Sequence, residues 1–445
     1  MLTPEEAKIG RRSFLKALAT LPALGAFGWT AYRERLHERP VQAGIIGSGS
    51  EGCVLLEQAP EKAIEFKAIA DIRPDSRKNA LDVIKKKWGV QAEVYPDDYT
   101  KLLERRDLEA VVIAVPLWMH AKVAVDALHA GKHVFCEKTM AYSVEQCQQM
   151  ATAARNGKVF QIGHQRHSNR LYAQALDTIQ KGLIGEVYHV RTLWHRNNDW
   201  RRPVPPLADL RKLDPRFDPA RWDYPNLEEL VNWRLYRKYS QGLPAELASH
   251  QLDVTNWFSG TVPMRIQGSG GIYKWKEDGR TIEDHVYLIC EYPPGPISPG
   301  GLTVTFSSIT TNAFDNYYEQ FMGTKGTIIL SGETDAMLFK EGEAAATEIA
   351  VTQSAAGEPV MEASRSRLAD AAGTAIQAAQ GPTSGLDRLE PYRMELEAFC
   401  SAIKFGTPVP CTVRDALSAA VVVIKANEAI RNRQTVELPP DLYRI

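Results

Sequence analysis

The chain has 445 residues, 44% hydrophobic and 24% charged, which allows two or three folded domains around a substantial core. Its 53 basic and 54 acidic residues leave a net charge of -1, so no overall field gathers nucleic acid, and no basic run is interleaved with aromatics. Six cysteines, Cys53, Cys136, Cys147, Cys290, Cys400 and Cys411, lack paired Cys-x-x-Cys spacing and read as buried thiols, with a Cys400 to Cys411 bridge as the alternative.

At the N-terminus, Gly10-Arg-Arg-Ser-Phe-Leu-Lys16 precedes an apolar stretch from Ala17 to Ala31 that is short for a membrane span. Paired Arg11 and Arg12 followed by Phe14 and Leu15 match a twin-arginine export signal, and residues 1–38 are assigned to signal and linker. The alternative is an amphipathic first helix. No clean small-x-small cleavage site follows, so the segment is either removed or kept as an N-terminal membrane anchor. The expected location is periplasmic or otherwise exported, with the twin-arginine machinery as a partner.

Residues 39–163 alternate apolar strands with helical segments, which predicts a doubly wound parallel sheet. Val41 to Ile46 runs into Gly47, Gly49 and Gly52 and then into a helical pattern, the turn that binds a dinucleotide. Gly47 permits the tight turn, Gly49 admits a pyrophosphate, and Gly52 allows close helix packing, with Ser50 and Glu51 completing the loop. A second strand ends at Asp71, nineteen residues beyond Gly52, where a carboxylate meets a ribose 2′-hydroxyl. Asp71 favours NAD, while Arg73 is placed to hold the 2′-phosphate of NADP. Two further strands end in Pro116 to His120 and in Glu137-Lys138, so Pro116, His120, Glu137 and Lys138 are expected at the cofactor rim.

Residues 164–445 change to period-2 strands and predict an α+β domain with a large, mainly antiparallel open sheet. The stretch from Trp194 to Gly242 is rich in aromatic and basic residues that stack on sugar faces and clamp hydroxyls or carboxylates; the alternative is core or subunit-contact packing. From it and its surroundings His164, His195, Trp200, Trp233, Arg234 and Arg237 are nominated as substrate-binding residues. Residues 341–385 are rich in Ala, Gly, Ser and Glu without a period and read as a partly disordered excursion, followed by helices in 386–445 that pack back. Glu246 and His250 are four apart, a proton-relay or metal-ligand spacing; no third ligand stands out and no metal is expected. Asp253 reads equally as a surface or capping carboxylate and as a site residue.

The ordered set Gly47, Gly49, Gly52, Asp71, Pro116 to His120, Glu137-Lys138 and Gly242-Leu-Pro-Ala-Glu-Leu-Ala-Ser-His250 resembles the glucose-fructose oxidoreductase and inositol dehydrogenase family, Gfo/Idh/MocA. The resemblance implies a Rossmann domain, a C-terminal sheet that forms homo-oligomers, Lys138 as the catalytic acid/base and His250 as its supporting histidine. Glu246 stands where the family usually has aspartate, and Thr139 where proline commonly follows the lysine. The function implied is an exported NAD(P)-dependent oxidoreductase acting on the CH-OH group of a sugar, sugar acid or polyol. Because no nicotinamide pool exists outside the cytoplasm, the cofactor is expected to stay bound. One alternative is a redox-neutral NAD-dependent glycosidase or lyase-type enzyme; another is a non-catalytic sugar-binding protein that holds the nucleotide.

Overall fold

A computed structural model describes residues 38–341 and 387–445, residue 36, and the backbone of 348–353 and 359–364. Of the expected signal and linker, residues 1–38, all but residues 36 and 38 lie outside the described residues, as does most of the 341–385 excursion.

The first domain alternates β1 (Val41–Ile46), α1 (Ser50–Gln58), β2 (Ile64–Ala70), α2 (Pro74–Trp88), β3 (Glu93–Tyr95), β4 (Ala110–Ile113), α3 (His120–His129), β5 (His133–Glu137), α4 (Val144–Ala153) and β6 (Phe160–Gly163). All six strands are parallel in the order β3-β2-β1-β4-β5-β6. Helices cover both faces, so a strand such as Ala110-Val-Val-Ile is buried at every position and shows no alternation. The chain leaves β1 for β2 on one side and β4 on the other, and that reversal opens the crevice where ligands bind. β3, three part-exposed residues at the edge, has too little pattern to be read from sequence.

The second domain contains α5 (Arg170–Gln180), β7 (Val187–His195), α6 (Ser249–Ser259), β8 (Arg265–Gly271), β9 (His285–Tyr292), β10 (Leu302–Ile309), β11 (Tyr317–Gly323), β12 (Gly326–Ser331), β13 (Asp335–Lys340), β14 (Glu348–Gln353), β15 (Pro359–Ser364), α7 (Glu390–Phe405), α8 (Val413–Asn432) and β16 (Val436–Glu437). Ten strands form one sheet in the order β15-β14-β13-β12-β11-β7-β10-β9-β8-β16. It is antiparallel except where β7 and β10 run parallel. Within the excursion expected over 341–385, β14 and β15 form strands instead, pairing backbone to backbone at the sheet edge.

α8 explains its own run of apolar residues. Ala416, Leu417, Ala420 and Val421 pack into the Rossmann core, whereas Val422, Val423, Ala426 and Ile430 pack into the core under the large sheet. A helix buried on two sides must be apolar on two sides, and this one cements the domains together. Thr412 and Asp415 close a capping box at its start. Cys400 and Cys411 remain separate thiols, as do the other four cysteines.

Between β7 and α6 the chain builds a small core of its own from Leu210, Phe217, Tyr224, Leu230 and Tyr239, seated on Ile72 and Trp118 of the Rossmann end. Arg77 of α2 pins this segment, donating to Asp214 Oδ2 at 2.8 Å and to the carbonyls of Asp71 and Ile72 at 3.0 and 3.1 Å. Trp118 Nε1 donates to the Tyr224 hydroxyl at 3.1 Å.

Candidate active site

The crevice at the carboxyl ends of β1, β2 and β4 encloses about 670 Å³ and is lined by Gly47, Gly49, Ser50, Glu51, Asp71, Arg73 and Pro116 on one side. The insert roofs it with Arg202, Trp222, Tyr224, Trp233 and Arg234. Gly47 has φ +87°, and a Cβ there would lie 2.6 Å from the Ala114 carbonyl. A Cβ on Gly52 would lie 2.4 Å from Gly47 O, so the helix approaches the turn as closely as backbone allows. Nothing lies within 4 Å of a Cβ on Gly49, which therefore faces open crevice. With backbone N–H groups of α1 aimed into that space, the loop fits a pyrophosphate.

Asp71 accepts from Ser48 N at 2.6 Å, Ser48 Oγ at 3.1 Å and Arg73 N at 2.7 Å, fixing the glycine loop against the end of β2. Burial pushes its carboxyl upward against those hydrogen bonds. The Arg73 guanidinium is held by Asp75, which accepts from its Nε at 3.2 Å, so the crevice suits NAD better than a 2′-phosphate. Arg202 reaches down from the insert and donates from Nη1 to Ser50 Oγ, placing a cation at the start of α1 that the sequence did not single out.

Beyond the Lys138 end, a second cavity of about 400 Å³ is lined by Glu51, His120, Glu137, Lys138, Trp194, Arg196, Trp200, Trp233, Arg234, Glu246 and His250. Lys138 Nζ donates to the Glu246 carbonyl at 2.9 Å, and Thr139 Oγ1 donates to the Ala245 carbonyl at 2.7 Å. The Lys138–Thr139 peptide is cis. His120 ties the same turn to β4, with Nδ1 2.9 Å from Thr139 O and Nε2 2.9 Å from Val115 O, while burial pushes its pKa down. Glu137 is buried, and desolvation together with the negative Glu51 pushes its carboxyl well up toward the neutral acid.

Pro244–Ala248 forms a single π-helical turn ahead of α6, so Glu246 and His250 are not stacked as on an ideal helix, yet both line the cavity. Burial alone would raise Glu246, but Arg234, donating from Nε to Oε2 at 3.0 Å, and Lys138 hold it ionised. Burial and the neighbouring cations Lys138 and Arg166 hold His250 well below its ordinary pKa, as a neutral imidazole. Left neutral, the ring offers one N–H donor and one acceptor nitrogen without adding charge beside Lys138.

Three nominated residues are placed elsewhere. His195 faces the opposite side of β7 from Trp194, bonding Ser307 Oγ at 2.9 Å, because successive strand residues alternate faces. Arg237 is taken by Glu283 at 2.6 Å and the Thr281 carbonyl at 3.1 Å. His164 is buried behind His250, its Nδ1 3.3 Å from Asp253 Oδ2, and lines neither cavity. Asp253 is itself buried, accepting from His167 Nε2 at 3.0 Å, and is no surface cap. Residues that the sequence did not flag also line the cavity: Asn316, Tyr317, Glu333, Arg388 and Tyr392, contributed by segments distant in the chain, with no local motif.

The neutral His250 has a consequence for acid stability. Its folded pKa lies below the unfolded value of about 6.5, so on acidification the unfolded chain takes up a proton that the folded one refuses. Stability is thus lost as pH falls below that unfolded value, by about 1.4 kcal/mol for each pH unit until the folded pKa is reached. His250→Gln should flatten the acid limb of Tm against pH; an unchanged limb would show that His250 is not the group resisting protonation.

Comparison with known proteins agrees with the two-domain fold. Residues 41–164 match the family described as "Oxidoreductase family, NAD-binding Rossmann fold", and residues 177–438 match "Oxidoreductase family, C-terminal alpha/beta domain". An inositol 2-dehydrogenase of Salmonella typhimurium is 31% identical over 224 residues, covering 49% of this chain and 65% of that protein. An alpha-N-acetylgalactosaminidase of Shewanella oneidensis is 30% identical over 178 residues, covering 36% of this chain and 39% of that protein. The chain thus spans less than two thirds of these curated relatives. A solved levoglucosan dehydrogenase in complex with NADH and levoglucosan superposes with a TM-score of 0.66 at 18% identity, over 90% of this chain and all of that one.

Proposed function

The chain belongs to the Gfo/Idh/MocA oxidoreductase family, with an NAD-binding Rossmann domain, and from that premise we propose that it oxidises and reduces a CH-OH group of a sugar, sugar acid or polyol. The observation that carries this reading is the placement of Lys138 with Glu246 and His250 in one polar cavity, which shares Glu51, Arg202, Trp233 and Arg234 with the roofed crevice. NAD, when bound, supplies the hydride acceptor. Lys138 takes the hydroxyl proton as the carbinol is oxidised and returns it in reverse; the Glu246 carbonyl holds its Nζ in place. Trp200 and Trp233 offer apolar faces for the sugar ring, and Arg234 with Glu246 offers a donor and an acceptor for hydroxyls.

The proposal includes export through the twin-arginine pathway and, with it, a captive cofactor. The insert that roofs the crevice and the Arg202 contact to Ser50 support retention. Purification without added nucleotide, followed by denaturation, should release roughly one NAD(H) per chain. An empty protein that binds NAD reversibly would overturn the captive cofactor and the export reading with it. The exposed Tyr188, Tyr287 and Ile289 on the large sheet support a homo-oligomer formed through that face.

A second reading has specific support: the Shewanella relative is a glycosidase. A captive cofactor requires either two sugars, one oxidised and one reduced, or return of the first to its original oxidation level after loss of an aglycone. Deuterium wash-in beside the reacting carbon without net oxidation would favour the glycosidase; stoichiometric oxidation of one sugar and reduction of another would favour the oxidoreductase.

A further inference from the structure

We infer that the cavity beside Lys138 contains a subsite for a carboxylate, with Arg196 as the recognising group, so that the substrate is an acidic sugar; this rests on the sugar oxidoreductase reading. Arg196 leaves the end of β7 with its backbone N–H bonded to Ile309 O at 2.8 Å. Its guanidinium carbon lies 5.1 Å from the ring centre of Trp194 and 5.4 Å from that of Trp200. Both rings line the same cavity. Indole contacts engage the π-face of the guanidinium and leave its in-plane N–H donors for a partner.

That partner is missing. Among the described residues, Arg196 has no ion pair or side-chain hydrogen bond, whereas its neighbours are engaged: Arg234 by Glu246, Arg201 by Glu228, Arg280 by Asp278 and Arg237 by Glu283. Burial lowers its pKa, the sign of a cation held out of water without enough compensation. None of the four lining carboxylates supplies it: Glu246 is bonded to Arg234, Glu333 to Arg166, Glu137 is pushed toward the neutral acid, and Glu51 makes no ion pair with Arg196. The cofactor phosphates are not the missing anion either. Arg202 and Arg234 line both cavities, but Arg196 lines only the one on the sugar side. A single guanidinium fork fits a planar monoanion better than a tetrahedral ester, and Trp194, which Arg196 contacts, has its ring centre 5.5 Å from that of His250, so the fork and the proton-transfer groups line one cavity. A sugar ring placed at Lys138 would then present its carboxylate to Arg196.

The test uses the full chain with its nicotinamide and a panel of probes: glucuronate and galacturonate, their neutral parents glucose and galactose, and the 6-phosphate and 6-sulfate of each. The wild type should favour a uronate over its parent by roughly ten- to hundredfold in kcat/KM, the scale of one charge-assisted contact. Arg196→Met should collapse that ratio toward unity through KM, and Arg196→Lys should fall between, because an ammonium keeps the charge without the fork. Nicotinamide content at the wild-type level certifies that each variant is folded. A phosphate or sulfate preferred over the uronate would overturn the carboxylate assignment, as would an acid-to-neutral ratio unchanged in Arg196→Met. If no probe is turned over, the oxidoreductase reading fails, and tryptophan fluorescence still decides the subsite. Uronate quenching of Trp194 and Trp200 that is lost in Arg196→Met supports it, and equal response to acid and neutral sugar overturns it.

Discussion

Lys138→Met is expected to lower kcat by roughly 10²- to 10⁴-fold while the protein keeps its nicotinamide and most of its stability. The lysine side chain lies in the polar cavity and is held by a single hydrogen bond to the Glu246 carbonyl. Losing that bond costs about 1 kcal/mol, too little to unfold a chain with this much buried core. The cofactor loop is untouched, since Gly47, Gly49 and Asp71 lie at the ends of other strands. A variant that turns over within about threefold of the wild type would remove Lys138 from proton transfer. A variant that also loses its nicotinamide would mean that the lysine serves the cofactor more than the substrate.

The second large effect concerns Gly52. A Cβ there meets Gly47 O at 2.4 Å and Gly47 C at 3.2 Å, and both are backbone atoms that cannot turn aside. Gly52→Ala must therefore lift α1 off the turn, at about 1–3 kcal/mol for the overpacked contact, and disperse the N–H groups that meet the pyrophosphate. The purified variant should carry little nicotinamide and melt at lower temperature. Gly49→Ala provides the contrast: with no atom within 4 Å of its Cβ, it should melt like the wild type when both are stripped of nucleotide, yet hold the cofactor more weakly, because the methyl occupies ligand space rather than protein space. The reverse pattern, stability lost in Gly49→Ala and kept in Gly52→Ala, would contradict the roles assigned to both glycines.

Much of the cofactor site was legible because its signals are local. The β1 turn, α1 and the Asp71 strand end occupy one continuous stretch, and turn chemistry with strand spacing fixes their relation. The sugar side was legible only in composition. The insert was recognisable as aromatic and basic, but which of its side chains enter the cavity follows from where each points. Trp194 and His195 are adjacent in sequence and lie on opposite faces of β7. Arg234 and Arg237 are three apart, and one turns to Glu246 while the other is drawn away by Glu283.

The sequence by itself determined the Rossmann order, the glycine turn with Asp71 at the next strand end, and the lysine at a strand end, since each rests on residue types at short fixed spacings. Only the tertiary structure decided the rest. Lys138 meets the Glu246 carbonyl across 108 residues of chain, and Tyr317, Arg388 and Tyr392 complete the same cavity from segments farther still. Such contacts depend on how two domains pack around α8, and packing is selected by total burial over many residues, which no local periodicity encodes.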